Sequence, residues 1–115
     1  MPSFSIKHED KVRLRHMLDA ALEIQQYVQS SIREDLNQDR KLVHSLVRLF
    51  EIIGEAASQV SEELCEDVQD IPWSVIIGMR NRLIHAYFSI NLDVVWSTSK
   101  DDIPALITEL KKLLD

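Results

Sequence analysis

Arg80-Asn81-Arg82-Leu83-Ile84-His85-Ala86-Tyr87 gathers two guanidiniums, an imidazole, an amide and a phenol into eight residues. A guanidinium presents a planar fork of donors that fits two oxygens of a phosphate, which a lysine point charge does not match. An imidazole, with an ordinary pKa near 6.5, exchanges protons at neutral pH. A phenol offers a hydroxyl that can be modified. Together these groups suit a phosphodiester beside a free hydroxyl, as in RNA. His85 would act as general base or acid for attack by a ribose 2′-hydroxyl, a role typically worth roughly 10²–10⁴ in rate. Arg80 would grip the phosphate and stabilise the charge of the transition state. Asn81 would orient the ring or bond the substrate.

The residues around the octet have helical periodicity. At about 100° per residue, Pro72, Val75, Ile76, Met79, Leu83, Ala86 and Ile90 share one stripe, which predicts a helix over 72–90 with that stripe in the core. Asp70 would cap it, and Pro72 fits a first turn. Arg80 and Tyr87 then lie on one flank, Asn81 and His85 on the other, and Ile77 and Ile84 between them, opposite the core. Exposed isoleucines so placed call for a cover. A symmetric homodimer with Ile77 and Ile84 at its interface would supply one. It would also bring Arg80 and His85, about 140° apart around one helix, together across the two-fold axis in a composite cleft. Arg82, near the edge of the core stripe, reads as a salt-bridge partner.

The remaining segments read as the frame for that helix. A first helix over 7–32 carries Leu14, Leu18, Ala21, Ile24, Val28 and Ile32 at spacings of three and four. Ser31 to Glu34 has the spacing of a capping box, so the chain should break there. Asn37 to Asp39 opens a long second helix with the stripe Leu42, Leu46, Leu49, Ile53, Ala56, Val60 and Leu64. Gly54 beside that stripe permits close helix approach. The acids Glu62, Glu63, Glu66 and Asp67 would end this helix as a solvated face. A short piece spans Leu92 to Ser97, and Ser99 to Pro104 introduces a last helix with Leu106, Leu110 and Leu113 facing inward. The expected fold is all-α: one domain over 1–115, an antiparallel bundle of four or five helices, homodimeric.

Composition narrows the function. With 115 residues the chain can bury a core without staples, and its single cysteine, Cys65, allows no internal disulfide. No stretch approaches the apolar run a membrane span needs, and no leader pattern opens the chain, which points to the cytoplasm and away from membranes. A formal charge of −6 argues against sequence-blind adhesion to nucleic acid, DNA included, so any RNA contact must be local. His8, His16 and His44 are scattered without metal-ligand spacing, and neither a metal nor another cofactor is expected. Trp73 and Trp96 read as packing anchors. A lone Arg or His on a helix is most often structural, so the octet gains weight from its grouping.

The pattern of Arg80 followed by Asn81, then His85 and Tyr87, resembles the motif of HepT-like toxins in the HEPN ribonuclease superfamily. The segments Arg48 to Ala56, Ile71-Pro72-Trp73 and Tyr87 to Trp96 resemble other recurrent stretches of that family, in the same order, so the resemblance covers roughly residues 10–110. It implies a homodimeric helical bundle acting as a metal-independent endoribonuclease toxin of a type VII toxin–antitoxin system. Arg80 and His85 would be catalytic and Asn81 supporting. The partner would be a minimal nucleotidyltransferase antitoxin that silences the toxin by attaching AMP to Tyr87. An alternative is a non-catalytic helical module that binds a nucleotidyltransferase and presents a substrate to it. A structural dimer without a ligand would leave the octet unexplained.

Overall fold

A computed structural model describes residues 5–85 and 89–115, with His85 described by its backbone. The elements are α1 (His8–Gln29), α2 (Asp35–Gln38), α3 (Arg40–Ser58), α4 (Glu62–Asp67), α5 (Trp73–Ile77) and α6 (Met79–Leu83). Strands β1 (Ile84–His85) and β2 (Ser89–Ile90) follow, then α7 (Leu92–Ser97), a π-helical turn (Thr98–Asp102) and α8 (Ile103–Leu114). The molecule measures 46 × 29 × 19 Å, so its thin dimension holds two layers of helices. The all-α class is as expected, with more and shorter helices than four or five.

α1, α3 and α8 form the frame, with α1 lying against both of the others. The predicted stripes are the surfaces that meet: Leu14, Leu18, Ala21, Ile24 and Val28 of α1 are buried, as are Leu46, Leu49, Ile53 and Ala56 of α3 and Leu106 and Leu110 of α8. Each large aliphatic side chain so buried contributes about 1.5–3 kcal/mol. Ile32, expected at the end of the first stripe, is instead 64% exposed. α1 stops earlier because Ser30 and Ser31 both donate their hydroxyls to the Tyr27 carbonyl. Ser31 therefore closes α1 and does not cap the next helix; the Asp35 carboxylate accepts from the Ile32 amide instead.

α3 starts as expected, with the Asp39 side chain accepting from the Leu42 amide. It ends at Ser58, and Ser61 caps the separate helix α4. Glu62 and Glu63 thus sit in the first turn of α4, where carboxylates favour the helix dipole, and do not end a longer helix. The buried Asp10 ties this corner to α1, its two oxygens accepting from the Ser61 amide at 2.9 Å and the Ser61 hydroxyl at 2.6 Å. The start of α1 therefore meets the end of α3, as an antiparallel pair requires.

α7 runs into α8 through the π-helical turn with no break in the chain's winding. Pro104 has no amide to offer the Lys100 carbonyl four residues earlier, and the Ser99 hydroxyl takes the Val95 carbonyl at 2.7 Å. Both disturb the ordinary ladder, and a widened turn accommodates them. Trp73 and Trp96 serve as anchors: the Trp73 indole donates to the Val68 carbonyl at 2.8 Å, and Lys100 lies 5.6 Å over the Trp96 ring.

Candidate functional site

The segment carrying the octet is not one helix. Three β-branched residues, Val75, Ile76 and Ile77, followed by Gly78, make a poor helix interior. α5 ends there and α6 restarts after Gly78. Asp70 does not cap α5, whose first turn has no side-chain cap. α6 then ends at Leu83 because the Leu83 carbonyl accepts from the Asn91 amide at 2.7 Å, which turns Ile84 into extended backbone. β1 pairs antiparallel with β2, Ile84 opposite Ile90 and His85 opposite Ser89. His85 is therefore on a strand, and the 140° helical separation from Arg80 does not apply.

α6 is anchored at both ends by Met79 and Leu83, four residues apart and both buried. The three residues between them, Arg80, Asn81 and Arg82, are all exposed. One helical turn thus presents three polar side chains together. Gly54 of α3 makes this placement possible, because a Cβ there would come within 3.1 Å of the Ile76 carbonyl oxygen. Close approach of α3 and α5 needs the glycine, as its position beside the stripe indicated.

Arg80 Nε donates to Glu51 Oε2 at 2.9 Å. This ion pair crosses from α6 to α3 and fixes the direction of the guanidinium while 64% of the Arg80 side chain stays exposed. The terminal amino groups of Arg80 have no partner among the described residues and keep the fork that fits a phosphate. Sequence reasoning assigned no role to Glu51: its position on α3 gave no signal that α6 would pack across it. Arg82, read as a salt-bridge partner, forms no ion pair among the described residues and is exposed.

The hairpin holds the His85 backbone two residues beyond α6. The His85 side chain and Tyr87 lie outside the described residues. Ile77, expected at a dimer interface, is 45% exposed in the single chain. Ile84, predicted to share that face, is half-buried and packs against the chain's own core, because it has left the helix for β1.

Other groups contribute little to this chemistry. Burial pushes the Cys65 thiol above its usual pKa, with help from the nearby Asp10, Glu62 and Glu66 carboxylates, so it is a poor nucleophile at neutral pH. Among the described residues no three His, Cys, Asp or Glu side chains gather as a metal site would need, and no helix is long and apolar enough to cross a membrane. An apolar groove of about 310 Å³ between α3, α5 and α8 reaches Met79 but does not include Arg80 or Asn81.

Residues 17–113 match the family described as ribonuclease HepT-like. The chain belongs to that family. It is 34% identical over 108 residues to a Thermococcus cleftensis protein named "Probable ribonuclease HepT", a match spanning 94% of this chain and 98% of the relative. It is 37% identical over 101 residues to a Caldanaerobacter subterraneus subsp. tengcongensis protein named as a candidate RNase, spanning 88% of this chain and 90% of the relative. A longer Methanocaldococcus jannaschii protein, named as a gamma-glutamylcyclotransferase and candidate RNase, is 32% identical over 110 residues, which are 96% of this chain and 50% of the relative. No solved structure matches the chain at the same stringency.

Proposed function

We propose that this HepT-like ribonuclease is an endoribonuclease toxin in which Arg80 and His85 cut RNA without a metal. The carrying observation is the Arg80–Glu51 ion pair, which presents an exposed, oriented guanidinium on the turn that leads directly to His85. His85 takes the proton of a ribose 2′-hydroxyl, the 2′-oxygen forms a bond to the adjacent phosphorus, and the bond from phosphorus to the 5′-oxygen breaks. A proton returned to that oxygen gives a 5′-hydroxyl end, and the other fragment keeps a 2′,3′-cyclic phosphate. Arg80 stabilises the negative charge that builds on the phosphoryl oxygens, a contribution of several kcal/mol where water is excluded. Asn81, exposed beside Arg80, is the supporting group for ring or substrate.

The proposed assembly is a homodimer covering Ile77, with the clefts of the two copies completing one another. The proposed partner is a minimal nucleotidyltransferase antitoxin that attaches AMP to Tyr87. An adenylyl group within a few residues of Arg80 would add negative charge and bulk where the substrate phosphate must bind. This completes a type VII toxin–antitoxin pair.

The test is the chemistry of the product ends. Wild-type protein in excess EDTA should convert a short RNA to fragments ending in 2′,3′-cyclic phosphate, and His85→Ala should yield none. Cleavage that requires an added divalent cation, or that leaves 3′-hydroxyl ends, overturns the mechanism.

A further inference from the structure

We propose that a cleft between α1 and α3, lined by Arg13, His16 and Arg48, is a second phosphate site that holds the RNA strand away from the cut. This inference rests on the ribonuclease reading and extends it to substrate grip. The cleft has a volume of about 150 Å³, the scale of a phosphate group with its neighbouring water. Its polar lining consists of Arg13, His16, Arg48, Gln59 and one carboxylate, Glu55. Glu55 keeps its charge while its oxygen accepts from the Gln59 amide at 3.1 Å, so two arginines stand against one carboxylate. In a chain of net charge −6, counted with histidine neutral, two arginines against one carboxylate make this concavity a local reversal of sign. Binding of a polyanion needs such a reversal, because backbone contacts supply most sequence-independent affinity.

The placement relative to Arg80 gives the cleft its role. Arg48, Glu51, Ile52 and Glu55 share one face of α3 at helical spacing. Glu51 turns to one side of that face and holds Arg80 at 2.9 Å, while Arg48, Ile52 and Glu55 line the cleft against α1. Arg80 and the cleft are therefore both tied to the outer face of α3, Arg80 through Glu51 and the cleft through Arg48. A strand whose scissile phosphate sits on Arg80 can lay another of its phosphates in the cleft. Ile52, half-buried at the cleft wall, offers an apolar surface to a sugar or base beside the phosphate held there.

The cleft would bind phosphodiester without reading sequence. It would raise affinity for strands of several nucleotides and leave a dinucleotide, which has one phosphate, unaffected. Arg13, His16 and Arg48 are thus binding and positioning residues, distinct from the reacting groups.

The experiment uses the full chain and a 12-nucleotide RNA with 2′-O-methyl groups, which binds but lacks the attacking hydroxyl. Its dissociation constant is measured by fluorescence anisotropy across a salt series for wild type, Arg48→Ala, His16→Ala and Arg15→Ala. Arg15 is exposed, does not line the cleft and carries the same charge as Arg48, so its removal controls for net charge. The expected result is a loss of tenfold or more for Arg48→Ala, a smaller loss for His16→Ala and almost none for Arg15→Ala. The slope of log K against log salt should fall by about 0.7 for each phosphate that is no longer neutralised. The cleavable 12-mer should show a raised KM in Arg48→Ala at unchanged kcat, and a dinucleotide substrate should show neither change.

Equal losses for Arg48→Ala and Arg15→Ala would overturn the proposal, as would wild-type protein that does not bind the 12-mer. Displacement of the 12-mer by inorganic phosphate at the same phosphate concentration would show a small-anion pocket, and would also overturn it. Selective weakening in Arg48→Ala without any RNA cleavage by wild type would uphold the cleft and defeat the ribonuclease mechanism. Cleavage with an unchanged KM in Arg48→Ala would do the reverse.

Discussion

The frame of α1, α3 and α8 and the segment from Trp73 to Ile90 are built by opposite rules. The frame consists of long helices joined by their stripes, whose central positions are fully buried, with Leu14, Leu46 and Leu110 at 0% exposure. Among the described residues, the octet segment has two five-residue helices and a two-residue ladder, each too short to be stable alone. Its helices persist because Ile76, Met79 and Leu83 are buried against the frame and because Gly54 lets α5 approach. Stability resides in the frame, and the proposed chemistry in a turn that the frame holds in place. Substitutions in the two regions should therefore separate folding from activity.

The largest effect is expected in the frame. Leu46→Ala leaves a cavity at the centre of α3 and should cost about 2–5 kcal/mol in urea unfolding. Any loss of RNA cleavage should follow the loss of folded protein. A variant equally stable, or one whose activity fell while the fold stayed intact, would erase the division between the regions.

Gly54→Leu addresses the seam between them. Its Cβ would meet the Ile76 carbonyl oxygen at 3.1 Å, so α5 must move away from α3. A cost of about 1–3 kcal/mol is expected, with a cleavage defect larger than the stability loss explains. Unchanged activity would show that α6 does not depend on this approach.

Glu51→Ala should have the inverse signature. An ion pair this exposed contributes less than about 1 kcal/mol to stability, so the unfolding midpoint should scarcely move. The rate of RNA cleavage should nevertheless fall, by roughly tenfold, as Arg80 loses its orientation. In an Arg80→Ala background the same change should have no further effect, since Glu51 acts through Arg80.

The smallest effect concerns Cys65. Its raised pKa means less thiolate at a given pH than an unstructured cysteine provides. Alkylation of the native protein should be slow at pH 8 and should keep accelerating at pH values where a free thiol, of pKa about 8.5, has levelled off. Fast labelling at neutral pH would mean the corner near Asp10 is more open than the packing indicates.

The two regions also differed in how far the sequence revealed them. Stripes such as Leu46 to Ala56 disclosed the frame because a repeat of three and four survives whatever packs on it, and Asp39 and Gly54 were found where their chemistry placed them; the repeat ran on through Val60 to Leu64 without registering that α3 ends at Ser58. The same repeat misled over 72–90. Its apolar positions are buried as far as Leu83, but hydrophobic periodicity does not register Gly78 as a break or the Asn91 amide capturing the Leu83 carbonyl. Ile84 consequently moved from a supposed free face into the shell around the core. Arg80 was singled out by its neighbours within the octet. Glu51, 29 residues earlier in the chain, became visible only when α3 and α6 were seen to touch.

The most direct measurement is the single-turnover cleavage rate of Arg80→Ala on a short RNA, paired with its urea unfolding curve. The expected rate is reduced by roughly 10²–10³, the scale for removing a charge-stabilising donor, at an unfolding midpoint close to wild type. A rate within a few-fold of wild type in a folded protein would contradict a catalytic Arg80 and remove it from the site.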